Sequence, residues 1–340
     1  MPEFKLLAQH LSPGCVQDKG VAHDAMLHAI DYAQLPTEQH NPRSRHLDCL
    51  STAQLLRLMN AEDATVARAV SRARPQIARA VSLIVASLRD GGRLFFLGAG
   101  TSGRLGIIEA AECPPTFHTP PSLVQAIIAG GRGAVFRSRE GAEDDRRAAR
   151  AQIQRRVRAG DAVVGIAASG VTPFVMEGLK AARARGTSTV LVTCDRAGTI
   201  LAGEEVPQAA GPAANRADVV IAAPVGPEII SGSTRLKAGT ATKLILNMLT
   251  VATMVRLGKV HGHRMVDVRP TSRKLRARAA HLVEELGRVP APEARRLLRL
   301  ARGHTKLAIV MAARRVNARA AQRLLTLHND MLRPLLQNSP

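Results

Sequence analysis

The chain has 340 residues, 46% of them apolar, and a formal net charge of +21. That length buries one large core with a helical appendage, and no run of about 18 apolar residues marks a membrane span. The charge comes from 48 Lys and Arg against 27 Asp and Glu, but with no Trp, one Tyr and six Phe the chain lacks stacking platforms for single strands, so the excess reads as a solvated basic surface and no nucleic-acid partner is expected.

Residues 1–34 show neither periodicity nor turn logic and read as a loosely ordered extension. The opening Met1-Pro2-Glu3-Phe4-Lys5 has no basic stretch followed by an apolar block, so it is not a secretory leader. Cys15, Cys49, Cys113 and Cys194 are scattered without a CxxC pair, which suits reduced thiols and a cytoplasmic setting. Residues 35–83 are expected to be a helical segment. Val66, Ala69, Val70, Ile77, Val81, Ile84, Val85 and Leu88 recur at helical spacing, predicting one long helix over 63–88, broken near Pro75. Asp90-Gly91-Gly92 stops it.

Short apolar strands then alternate with helices. Strands are predicted at 93–97, 122–128, 161–167, 188–193 and 218–222, with helices near 104–112, 142–158 and 173–185 and a long one at 235–257. Strands apolar on both faces and separated by helices predict an α/β fold, a five-stranded parallel sheet covered on both sides. This domain is placed at 84–247. Residues 248–340 continue the long helix into a C-terminal helical subdomain, with segments near 272–286, 291–302, 304–314 and 317–337. No zinc-type ligand spacing occurs, and no metal or cofactor is expected.

In such sheets ligands sit outside the carboxyl ends of the strands. Two of those ends are rich in glycine and hydroxyls: Gly98-Ala99-Gly100-Thr101-Ser102-Gly103-Arg104 and Ala168-Ser169-Gly170-Val171-Thr172-Pro173. Glycines admit close backbone approach, and a helix N-terminus offers free N–H groups to an anion, so a phosphate is the natural guest. The first loop also satisfies GxGxxG. A dinucleotide site would need an acid ending the second strand, and Ile127-Ile128-Ala129-Gly130-Gly131 has none.

Two carboxylates follow. Glu112 is expected at a helix end set by Pro114 and Pro115, where the negative end of the dipole favours a protonated carboxyl and suits a general acid. Glu143 is expected at a helix start, which favours carboxylate and suits a general base. Either alone is commonly only a cap or a solvated end, and Glu109 reads as structural. A third cluster opens the long helix, with Glu228, Ser231, Ser233, Arg235 and Lys237 as candidate sugar or anion ligands.

Gly98 to Thr116 (GAGTSGRLGIIEAAECPPT), Glu140-Gly-Ala-Glu-Asp144, Gly165 to Gly170, Ser231 to Ala241 and Met265-Val-Asp-Val268 together resemble the signature of the N-acetylmuramic acid 6-phosphate etherases, relatives of the glucokinase regulatory protein. Leu35 to Pro42 resembles the family's N-terminal segment. The chain departs from the pattern at His40, Val171 (where many relatives carry Arg), Asp195-Arg196, His263-Arg264 and Ser272. The resemblance implies a sugar-isomerase (SIS) type three-layer αβα sandwich and a homodimer. It also implies metal-free cleavage of the lactyl ether of a muramic acid phosphate, with Glu112 as proton donor and Glu143 as the acid/base at the second carbon. The phosphosugar ligands expected from the three loops are Gly100, Thr101, Ser102, Gly103, Ser169, Gly170, Thr172, Glu228, Ser231, Ser233 and Lys237. A non-catalytic phosphosugar-binding regulator and a SIS-type isomerase remain as alternatives at this stage.

Overall fold

Five apolar segments pair into one parallel sheet of order β2-β1-β3-β4-β5: β1 Leu94–Gly98, β2 Val124–Ile128, β3 Ala162–Ile166, β4 Ser188–Thr193 and β5 Val219–Ala222. The computed structural model describes residues 35–195, 217–268, 270 and 272–337. The expected loose extension at 1–34, Cys15 and Arg196 lie outside the described residues. In β1, Leu94 aligns with Val124 of β2 and with Ala162 of β3.

Side chains alternate across each strand. Leu94 and Phe96 join a core with Ile77 and Ile84 of α3 (Arg74–Arg89) and Ile245 and Leu249 of α8 (Lys237–Arg256). Phe95 and Leu97 join the opposite core with Ile153 of α6 (Arg146–Arg156) and Val175 and Leu179 of α7 (Pro173–Arg183). Both faces are therefore covered, and the αβα sandwich expected from the doubly apolar strands is present. α8 is long and apolar enough to cross a membrane, but Ile245, Leu246 and Leu249 are fully buried inside this core.

A two-residue hairpin, β6 Val260–His261 with β7 Arg264–Met265, leads to the helical region: α9 Arg273–Gly287, α10 Ala291–Leu300, α11 Thr305–Arg314, α12 Ala318–Leu327 and α13 Arg333–Leu336. Its own core gathers Leu282, Val283, Leu297, Ile309, Val310 and Leu325. Asp267 ties it to the end of α8, with Lys259 Nζ at 2.5 Å and Lys306 Nζ at 3.6 Å. Burial pushes the Asp267 carboxyl up, yet Lys306 and Lys259 together hold it below the usual aspartate range.

Three elements differ from expectation, whereas the helix expected over 63–88 does break near Pro75, into α2 Val66–Arg72 and α3, with α1 Thr52–Asp63 before it. Pro75 has no N–H for the Ser71 carbonyl, so the chain breaks at Ala73 and restarts with Pro75 in its first turn. The helix after β1, α4 (Gly100–Phe117), does not stop at Glu112 but runs through Pro114 and Pro115 to a left-handed cap at His118. The segment expected at 317–337 splits because Asn329 and Asp330 adopt left-handed backbone between α12 and α13. The β6–β7 hairpin has no counterpart in the expected elements.

Candidate active site

The strand order reverses direction between β1 and β3, and at that switch point the loops leaving two neighbouring strands diverge and open a crevice. A cleft of about 600 Å³ lies there. It is walled by Gly100, Thr101, Ser102 and Arg104 after β1, and by Ser169, Val171 and Thr172 after β3.

Local packing makes these loops. Gly100 starts α4 with φ 52. A Cβ on Gly98 would lie 2.7 Å from the Gly103 nitrogen, and one on Gly103 would lie 2.7 Å from the Gly98 carbonyl oxygen. Both glycines are therefore required for the helix to seat directly on the strand, which brings its N-terminal N–H groups to the sheet edge. Gly103 and Gly170 lie buried beneath the loops, and Gly170 holds φ 76 in the second turn.

Glu143 reaches this cleft from the segment after β2. It sits in a single 3-10 turn, Ala142–Asp144, and does not cap the following helix; Asp145 does, accepting from the Ala148 N–H at 2.8 Å. Glu143 is half-buried. Glu140 and Asp144 of the same segment line the cleft with Glu38, which comes from the N-terminal segment. Against these four carboxylates stand two cations. Arg104 donates from Nε to the Val135 carbonyl at 2.9 Å. Arg139 lies over the Gly130–Gly133 turn that leads into α5 (Gly133–Phe136), its Nη2 3.1 Å from where a Gly133 Cβ would be. Sequence reasoning missed Glu38, Arg139, Gly232 and Thr234. Only the fold brings 37–38 and 232–234 to the mouth, though Glu140 and Asp144 flank the segment already singled out.

The remaining candidates sit elsewhere. Glu112 is exposed on α4, eight residues past Arg104, the last residue of that helix to line the cleft, and so about 12 Å further along the helix. Glu228 is buried and caps α8, accepting from the Lys237 and Ala238 N–H groups at 3.0 and 2.8 Å. Burial pushes its carboxyl up, and those two bonds pull against this. Lys237 is also buried, with its ammonium on Glu62 at 2.6 Å. Asn41 Nδ2 at 3.0 Å and Arg43 at 2.7 Å complete the Glu62 shell. Ser231 is hydrogen-bonded to His40 Nδ1 at 3.0 Å, and Ser233 lies between the cleft-lining Gly232 and Thr234. Glu109 is structural as expected, accepting from Asn247 and Thr250 of α8. Cys113 and Cys194 are buried, and burial pushes each thiol up to about 12, so neither is a nucleophile.

The family model described as the glucokinase regulatory protein N-terminal SIS domain matches residues 76–183. The chain is 46% identical to the N-acetylmuramic acid 6-phosphate etherase of Picosynechococcus over 305 residues, 89% of this chain and 97% of that one. It belongs to the N-acetylmuramic acid 6-phosphate etherase family. The etherase of Trichormus variabilis is 48% identical over 91% of this chain and 96% of its own. That of Symbiobacterium thermophilum is 50% identical over 83% and 89%. Among solved structures, a phosphoheptose isomerase of Neisseria gonorrhoeae covers 58% of this chain at 22% identity, with a TM-score of 0.43 and 98% of its own length aligned. Three departures from the etherase pattern are locally satisfied. Ser272 caps α9 by accepting from the Leu275 N–H, Arg264 pairs with Glu285, and Val171 is buried in the cleft wall.

Proposed function

We propose that the chain is a carbon–oxygen lyase that cleaves the D-lactyl ether of N-acetylmuramic acid 6-phosphate by elimination and then hydration, giving N-acetylglucosamine 6-phosphate and D-lactate. The observation that carries this reading is the crevice between β1 and β3, where two glycine- and hydroxyl-rich helix starts share one cleft with Glu143. The hydroxyls of Thr101, Ser102, Ser169 and Thr172 and the N-terminal amides of α4 and α7 hold the phosphate.

The sugar ring opens to an aldehyde, which acidifies the proton on the second carbon. Glu143 takes that proton, the electron pair forms the bond between the second and third carbons, and the ether bond at the third carbon breaks. The departing lactate oxygen receives a proton from Glu112. Water then adds to the third carbon, and the second carbon regains its proton. The substrate's lactyl carboxylate is met by Arg139.

Glu112 lies too far along α4 to act in its own cleft, so it serves a second copy of the chain. The surface for that copy is apolar: Ile108 of α4 and Met248 and Val251 of α8 are 56%, 40% and 47% exposed. A homodimer working in the cytoplasm, in recycling of cell-wall amino sugars, follows from this reading.

Incubation with N-acetylmuramic acid 6-phosphate tests it. The wild type should release D-lactate and N-acetylglucosamine 6-phosphate in equal amounts, and Glu143→Gln should slow release by about 10²–10⁴-fold. Aldose–ketose interconversion without lactate would refute the reading.

A further inference from the structure

The helical region holds a cavity of about 1090 Å³ that the proposed reaction does not use. The ends of α9 and α11, the start of α13 and the β6–β7 hairpin meet around it. Five arginines and two glutamates line it. Both glutamates are already matched: Glu285 with Arg264, and Glu293 with Arg296 at 2.7 Å. Arg314 donates to the Pro334 carbonyl at 3.2 Å. Arg288, Arg315 and Arg333 remain. They come from three different elements, are exposed at the cavity, and make no ion pair or side-chain hydrogen bond with any described residue.

Two of the three stand where arginine is unexpected. Arg288 ends α9 and Arg315 ends α11, each in left-handed backbone with φ 52. Glycine or asparagine ordinarily takes that position, because a Cβ there crowds the following carbonyl. Complementing the helix dipole does not explain the choice at Arg315, since Arg314 already stands in the last turn of α11. His261 in the same wall reports the local field: burial, then Arg333 and Arg264, hold its pKa below the usual histidine range.

We propose that this cavity is a second anion site, separate from the cleft at β1 and β3, which takes a phosphorylated small molecule carrying at least two negative charges. Guanidinium forks match phosphate oxygens in pairs, and three of them around a concave wall concentrate positive potential where a compact anion sits. The lining has no Phe, Tyr or Trp ring for a base to stack on, which separates this site from a nucleic-acid groove.

Inorganic pyrophosphate is the probe. The full chain is titrated at about 0.15 M salt, with binding followed by calorimetry and by the His261 ring resonance, which isolates this site from the cleft. Pyrophosphate should bind and shift the His261 pKa upward. The double variant Arg288→Asn, Arg315→Asn should fold, since asparagine suits left-handed caps, and should weaken binding by about tenfold or more as two charge-assisted contacts are lost. Arg319→Gln with Arg323→Gln, on the exposed face of α12, should leave binding unchanged. A silent His261, an equal loss in both double variants, or displacement of the probe by an equimolar short single-stranded oligonucleotide would each overturn the proposal. None of these readouts involves lactate release, so this site and the proposed reaction fail independently.

Discussion

Arg139 shares its cleft with Val171. If Arg139 supplies the counter-charge for the lactyl carboxylate, Arg139→Leu removes a contact of about 1.5–3 kcal/mol. Binding of N-acetylmuramic acid 6-phosphate should then weaken by about 10–100-fold. Inhibition by N-acetylglucosamine 6-phosphate, which lacks that carboxylate, should be unchanged. Both constants come from the same lactate assay. Lys237 belongs to a different class of residue. Lys237→Met leaves the Glu62 carboxylate buried without its main partner, which costs about 3–5 kcal/mol and shows as a lower urea midpoint. Burial pushes the Glu62 carboxyl up, but Lys237, Asn41 and Arg43 bring it below the usual glutamate value of 4.5. A lowered carboxylate stabilises the fold above its unfolded pKa and loses that contribution as pH falls through the folded one. The gap between wild type and Lys237→Met should therefore be widest near neutrality and narrow below about pH 4.5. The local alphabet of the cleft was readable, because Gly, Ser and Thr at strand ends have few other uses. The roles of Glu228 and Lys237 were not, because a buried cap and a buried ion pair use the same residue types as a sugar site. Only Glu62 and the α8 amides, far apart in sequence, reveal the cap and the ion pair.

At the scale of elements, α4 carries the glycine-rich loop of the cleft at one end and Glu112 near the other. Its seat on β1 depends on backbone contact between Gly98 and Gly103. Gly98→Ala should push the helix off the strand, cost about 1–3 kcal/mol in thermal or urea unfolding, and weaken substrate binding more than substitutions elsewhere on the sheet. The strands were legible to within a residue or two because a strand buried on both faces has almost no polar residues to blur its ends. The course of α4 was not, because the rule that proline ends a helix is a tendency. Here the two prolines forgo two N–H donors, while Cys113 and Phe117 stay buried along the same helix. Glu112 thereby loses its expected place in the last turn, and the dipole argument for its acidity goes with it.

At the scale of the whole molecule, the sandwich and the helical region each bury their own apolar cluster, joined through Asp267, Lys259 and Lys306. The order of these parts along the chain was readable from hydrophobic period alone. What one chain cannot show is a site completed by two. The proposed site needs Glu143 from one copy and Glu112 from the other, and the proposed meeting surface holds Ile108, Met248 and Val251, which are exposed in the single chain. Co-expression of Glu112→Gln and Glu143→Gln chains tests this directly. Each variant alone should release almost no D-lactate. Random pairing makes half of the dimers mixed, and each mixed dimer holds one site with both carboxylates intact, so the mixture should recover about one quarter of wild-type activity. A mixture as inactive as its parents, or a fully active Glu112→Gln homodimer, would contradict the shared site.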